Sequence, residues 1–265
     1  MTRAPDLDDK SRLLVVVPHP DDETLATGGL IQMALAAGSK LRVVIATDGD
    51  NNPWPQRWIE KRLRIDASAR KRWGARRRGE VAMALARLGV AEQETRYYGW
   101  PDQGLSALLM HGSTATDQLA GEILDFAPTV LVAPSLSDLH PDHNALGTML
   151  DIALSSGPFA RIPRLDFVVH GSLPDVHGLA VPVNDAYADR KLHALQAHTS
   201  QLALSGKRMT RLCKRREWFE SAGLERAGGT DPVPLAWQWQ ISPLRIRLQR
   251  HAVFLIARTG TEIQR

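Results

Sequence analysis

The sequence predicts an α/β fold, a Rossmann-like, mostly parallel sheet with helices on both faces. Three observations carry that expectation. Short, mainly apolar runs recur at 13–17, 41–46 and 129–133, and strands without polar alternation are those buried on both faces, as in parallel sheets. Between them lie stretches of helical spacing, the crossovers that parallel strands require. Ionisable or turn-forming residues cluster where the strands end, which is where open α/β sheets bind ligands.

Taken in order, the strand at 13–17 stops abruptly at Pro18-His19-Pro20-Asp21-Asp22-Glu23. Helical spacing follows over 24–37, with Gly38 as its stop. The second strand, 41–46, exits into Thr47-Asp48-Gly49-Asp50-Asn51-Asn52-Pro53, which is turn chemistry. Residues 54–72 carry Trp54 and Trp58 among charges and read as an irregular, partly helical excursion. A helix is expected over 80–88, closed by Gly89, then a strand over 95–98 and a helix over 117–126. The strand at 129–133 repeats the pattern of the first and exits through Pro134 to His143, with a helix over 144–153. Beyond it the expectations are a strand at 165–170, an amphipathic helix at 185–198, a helix at 207–222 and a late strand at 251–257. Loops are expected around Pro232, Pro234 and Pro243, near Trp237 and Trp239.

A chain of 265 residues that is 43% hydrophobic can bury a large core. Residues 1–265 are read as one α/β domain, with a core at about 12–200 and 201–265 as its C-terminal extension. Asp6, Asp8 and Asp9 precede any apolar stretch, unlike a secretory signal, and no apolar run approaches the roughly 20 residues of a membrane span. A cytoplasmic location is therefore expected. The single cysteine, Cys213, excludes an internal disulfide framework and a Cys-based structural metal site. Net charge is +4, yet residues 57–78 hold ten basic residues against two acids, so the remainder is net acidic. Lys207, Arg208, Arg211, Lys214, Arg215 and Arg216 form a second basic group. Such blocks attract anionic substrates or lipid head groups, leaving peripheral attachment to a membrane surface open; a solvated helical face is the plain alternative. Neither block is interleaved with aromatics in a nucleic-acid motif, and no nucleic-acid partner is expected. Homo-oligomerisation is left open.

The chemistry lies in two strand-end loops, one with His19, Asp21 and Asp22, the other with His140, Asp142 and His143. A lone His-Pro-Asp is often a turn whose histidine bonds the backbone. Two imidazoles and a carboxylate drawn from the two loops make an N/O set suited to Zn2+ and also to the facial triad of Fe2+. Three protein ligands leave a position open, the arrangement of a catalytic site, with a carboxylate that is not a ligand free to act as base. The residues alone do not divide these roles between Asp21 and Asp22.

The pairing of Pro18-His19-Pro20-Asp21-Asp22-Glu23 with His140-Pro141-Asp142-His143 resembles the PIG-L / LmbE-like zinc-dependent N-deacetylases, which hydrolyse N-acetyl groups from amino sugars. The resemblance covers 13–153 well and the Lys191 to Gln201 pattern, Lys-x6-His-x-Ser-Gln, more loosely. It implies metal ligands at His19, Asp22 and His143, a general base at Asp21 and an oxyanion-stabilising histidine at His140. Asp142 is expected to orient His140, and Glu23 to support the loop or cap the following helix. Asp102, in Trp100-Pro101-Asp102, and Arg77 and Arg78, beside Glu80, match positions that imply substrate contact. His198 is expected as a core histidine. Pro18 departs from the alanine of many relatives.

The resulting expectation is a metal-dependent hydrolase that removes an N-acetyl or similar N-acyl group from an amino sugar or glycoconjugate, with an anionic small-molecule substrate favoured by the basic block. The alternatives are an amidase acting on another N-acyl substrate, a non-haem Fe2+ oxygenase and a non-catalytic binding module. The first strand–helix turn lacks Gly-x-Gly-x-x-Gly, which counts against a dinucleotide-binding version of the last.

Overall fold

The structure is a computed structural model that describes residues 6–155, 162–171, 178–181, 184–214 and 216–221. The late strand at 251–257 and the loops around Pro232, Pro234 and Pro243 lie outside these residues.

The first strand, β1 (Arg12–Val17), is the middle of the parallel half of the sheet. It is followed by α1 (Asp22–Ala36), β2 (Lys40–Thr47), α2 (Pro53–Glu60), α3 (Ala67–Leu88) and β3 (Thr95–Trp100). Then come α4 (Leu105–Met110), α5 (Thr114–Phe126), β4 (Val130–Pro134), α6 (Pro141–Ser155) and β5 (Arg164–Phe167). The described chain ends with β6 (Gly178–Val181), α7 (Asp185–Leu195), α8 (Thr199–Cys213) and β7 (Glu217–Ser221). The seven strands lie in the order β3-β2-β1-β4-β5-β7-β6. Pairing is parallel from β3 to β5 and antiparallel where β7 meets β5 and β6.

Both faces of β1 are buried because successive side chains alternate between two cores. Leu13, Val15 and Val17 pack with α1, α3, α7 and α8, whereas Leu14 and Val16 pack with α4, α5 and α6. That double burial explains why the run contains no polar residue. The progression of strands reverses between β1 and β4, since β2 and β3 lie to one side and β4 and β5 to the other. Such a switch point opens a crevice at the carboxyl ends of its two strands. The loops after β1 and β4 are those with the histidines and aspartates.

Several boundaries differ from expectation. The helix expected at 80–88 is the end of α3, which starts at Ala67 with Asp66 accepting the Ala69 N–H at 2.8 Å as its cap. Its inward stripe runs through Ala69, Trp73, Arg77, Glu80, Val81, Ala84 and Leu88. Two buried charged residues in that stripe hide the apolar periodicity. The excursion at 54–72 therefore contains α2 and the first turns of α3. Helix α6 begins at Pro141, since proline suits a first helical position where its missing N–H costs nothing. Asp142 and His143 thus sit on the helix rather than in the loop. The helix expected at 207–222 ends at Cys213, and the chain turns into β7, whose Phe219 is buried against β5.

α1 is tied to α7 and β7 through the buried Lys191–Glu217 pair. Lys191 Nζ donates to Glu217 Oε1 at 2.6 Å, and the same carboxylate accepts the N–H groups of Gly29 and Leu30 at 2.6 and 2.9 Å. Gly28 admits the lysine stem, whose Cγ lies 3.1 Å from where a Cβ would stand.

Candidate metal centre

His19 leaves the end of β1, Asp22 opens α1, and His143 lies in the first turn of α6. Asp22 Oδ2 is 3.4 Å from His19 Nδ1 and 3.3 Å from His143 Nε2. Donors about 2.0–2.1 Å from a tetrahedral ion stand roughly 3.3 Å from one another, so Asp22 has the spacing of an adjacent ligand to each of the two rings; the donor groups that lie within 4.8 Å of one another are His19 with His140 and His143, Asp22 with His143 and His170, and His19 with Asp102 and Asp142. The opposite ring nitrogens are backed by carboxylates. Asp142 Oδ2 is 3.1 Å from His19 Nε2, and Asp138 Oδ2 is 3.1 Å from His143 Nδ1. Carboxylate behind histidine fixes the ring and raises its basicity as a ligand. Neither nitrogen of the fully buried His143 completes a well-angled hydrogen bond, although each faces a carboxylate. That leaves room for a better electrostatic partner.

The charge balance favours a cation. Burial opposes protonation of His19, but Asp102, Asp142 and Asp22 overcome it and hold the ring well above its ordinary pKa. His143 behaves likewise: burial is outweighed by Asp138 and Asp22, and its pKa rises to about 9. Asp22 is held well below the usual carboxylate range by His143 and His19, despite its burial. The pocket thus stabilises positive charge that a bound ion would supply in place of protons.

Asp21 caps α1 with φ +100°, a left-handed conformation that a non-glycine residue adopts only when its surroundings enforce it. Three contacts do so. Arg77 donates to the Pro20 carbonyl at 2.6 Å and to Asp21 Oδ2 at 3.1 Å, while the Asp21 N–H is accepted by Glu23 Oε2 at 2.8 Å. Arg77 reaches the loop over Gly49, whose carbonyl accepts from it at 2.8 Å; a Cβ there would stand 1.7 Å from Nη1. Burial raises the Asp21 carboxyl above its ordinary value, against the pull of Arg77 and with the help of Asp22.

His140 stacks edge-on to His19 with ring centroids 4.7 Å apart. Its Nδ1 accepts the Asp142 N–H at 3.2 Å, so the neutral ring carries its proton on Nε2. Burial and the neighbouring histidines hold it well below its ordinary pKa, in that neutral form.

Several expected roles change with these contacts. The Asp142 carboxylate backs His19 and accepts the Gln103 and Leu105 N–H groups at 2.8 and 3.1 Å; only its backbone meets His140. Arg77 is buried, and its two Nη groups donate to the Gly49 and Pro20 carbonyls and to Asp21, contacts that position the loop. Arg78 pairs with Asp48 at 2.5 Å. Asp102 is buried, accepts the Asn51 N–H at 2.7 Å and lies 3.4 Å from His19 Nε2, with its pKa lowered to about 2 because these contacts and Arg77 outweigh its burial. Glu23 accepts the N–H of the capping residue Asp21 at 2.8 Å and meets His198 Nε2 at 2.9 Å. His198 is fully buried on that carboxylate.

Two residues of the cluster escaped the sequence reading. Asp138 stands two residues before His140, among serines that suggest only a turn. His170 follows β5 with its ring centroid 5.3 Å from His140 and 5.2 Å from His143, and could join Asp22 and His143 around an ion. The rule that singled out His19, an ionisable residue at a buried strand's end, applies to His170 as well.

A doubly wound α/β sheet with a histidine–carboxylate centre at its switch point defines the class: a Rossmann-like protein with a candidate mononuclear metal site. The chain belongs to the PIG-L family, described as GlcNAc-PI de-N-acetylase, whose profile matches residues 14–154. The 1D-myo-inositol 2-acetamido-2-deoxy-alpha-D-glucopyranoside deacetylase of Mycolicibacterium gilvum is 36% identical over 174 residues, 60% of this chain and 59% of that protein. The chain thus matches about 60% of the length of such curated relatives. Among solved structures, a conserved protein from Thermus thermophilus is 26% identical with a TM-score of 0.60, covering 80% of this chain and 94% of its own. GalB, the 4-carboxy-2-hydroxymuconate hydratase from Pseudomonas putida, shares the fold with a TM-score of 0.61 at 19% identity, covering 78% and 83%. The fold alone therefore does not decide the reaction.

Proposed function

We propose that this protein is a zinc-dependent hydrolase that removes an N-acetyl or similar N-acyl group from an amino sugar or glycoconjugate. The observation that carries the reading is Asp22 Oδ2 lying between His19 Nδ1 and His143 Nε2, at 3.4 and 3.3 Å, with a carboxylate behind each ring. The relatives named as deacetylases of an acetamido sugar agree with it. The same reading takes residues 1–265 as one domain.

Zinc held by His19, Asp22 and His143 would polarise the acyl carbonyl and bring the pKa of a water towards about 7. Asp21, kept out of the ligand set by its salt bridge to Arg77, takes the proton of the attacking water. Its raised pKa makes it a better base than an ordinary aspartate, and as an acid it returns the proton to the leaving amine. His140 donates from Nε2 to the oxygen that becomes negative as the carbonyl carbon turns tetrahedral. A neutral donor serves here because it stays protonated at Nε2 while Nδ1 is occupied by the Asp142 N–H. Asp102 and Asp142 keep the His19 ring aimed, and Arg77 keeps the Asp21 loop in place.

The test is acetate release from N-acetylated sugars, nucleotide sugars and glycolipids, with metal analysis of the same preparation. Asp21→Asn is expected to keep its metal and lose about 10²–10⁴-fold in kcat; full activity in that variant overturns the assignment of the base. Longer acyl substrates separate a deacetylase from a broader amidase, and turnover under strict anaerobiosis excludes the Fe2+ oxygenase.

A further inference from the structure

Two basic segments about 140 residues apart in the chain meet in space, because α2 packs directly on α8. α2 turns Pro55 and Gln56 inward and leaves Trp54 and Trp58, one helical turn apart, 67% and 57% exposed. The following loop, Lys61-Arg62-Leu63-Arg64, is wholly exposed, with Leu63 at 91%. α8 adds exposed Leu204, Lys207, Arg208 and Arg211. Among the described residues, Leu63 and Trp54 are the most exposed large apolar side chains.

We propose that α2, the 61–64 loop and α8 form an interfacial surface that seats the protein on an anionic lipid bilayer. Indole rings and long cationic stems are suited to the head-group layer, where the apolar part enters and the charge stays at the phosphates. The pairing is already built: the Arg57 guanidinium lies 5.1 Å from the Trp54 ring and Lys61 Nζ 4.5 Å from that of Trp58. The one acid on α2, Glu60, accepts a hydrogen bond from the Gln56 amide at 3.0 Å and pairs with the Arg72 guanidinium at 3.7 Å. A second copy of this chain fits poorly, because an isologous contact would set one basic face against another.

The surface borders the candidate centre. Arg208 Nη2 is 2.9 Å from His170 Nδ1, and Asn51, two residues before α2, holds Asp102. Docking does not depend on the deacetylase reading.

Cosedimentation of the full chain with vesicles of phosphatidylcholine alone, or with roughly one-third phosphatidylglycerol, tests the surface. Binding is expected only to the anionic vesicles and to fall steeply with salt. Replacing Lys61, Arg62 and Arg64 together by glutamine is expected to weaken it about 100-fold. Trp54→Ser with Trp58→Ser is expected to weaken it by about tenfold or more, with thermal melting unchanged in both variants. Absence of binding to anionic vesicles, or binding unaffected by the glutamines, overturns the proposal. Binding that is lost with the basic residues but indifferent to the tryptophans also overturns it, in favour of a soluble polyanion.

Discussion

At the scale of single residues, the side chains behind the histidines set how tightly the centre can hold an ion. Asp138 takes the outer nitrogen of His143 and also accepts the His140, Val169 and His170 N–H groups. Asp138→Asn keeps the size and most of those contacts while removing the charge. It is expected to weaken metal affinity about 10–100-fold, measured by competition with a chromophoric chelator. His19, Asp22, His140 and His143 were legible in the sequence because the chain announces them twice, as two ionisable clusters each ending a buried strand. Asp138 and His170 were not, since their roles depend on where side chains point after the backbone has folded. The same holds for Asp142: sequence adjacency suggested His140 as its partner, and helical geometry turns its carboxylate to His19 instead.

Secondary elements show a similar divide. β1 and β4 were legible as unbroken apolar runs, and Gly89 marked a helix end by taking φ +97°. α3 was read too short because Arg77 and Glu80 face inward, where a periodicity argument expects apolar residues. Their burial is paid for by function: Arg77 holds the Asp21 loop, and Glu80 accepts the Ser200 hydroxyl and N–H at 2.5 and 2.9 Å, joining α3 to α8. The Lys191–Glu217 pair does the same for α1, α7 and β7. Glu217→Ala leaves a buried ammonium and two helix N–H groups without their acceptor. It is expected to cost about 3–5 kcal/mol in urea denaturation, with part recovered by adding Lys191→Met.

Across the whole molecule, an ion at the centre would join the ends of β1 and β4, the two halves of the sheet. At free metal about 100 times Kd, linkage adds about 2.7 kcal/mol, which for a chain of this size raises Tm by roughly 5–10 °C over the chelated protein. The increment depends on pH with a definite sign. Ligand imidazoles must be neutral, while His19 is held well above its ordinary pKa and His143 at about 9. Protons therefore compete with the ion below those values, and the difference in Tm with and without EDTA is expected to grow as pH rises from 6 towards 9. An increment that is flat or falls across that range would remove these rings from the ligand set.

The strand order also sets a clock. His19 and Asp142 are 123 residues apart, and β1, synthesised first, waits for β4 to lie beside it. At ribosomal rates of about 5–20 residues per second, that is a delay of roughly 6–25 s. Until then the emerging chain offers His19 and its acidic neighbours without His140 and His143. An ion bound at the proposed centre would therefore be acquired late in biogenesis, after the second half of the sheet has docked, and a nascent chain stalled before His140 is expected to bind none there.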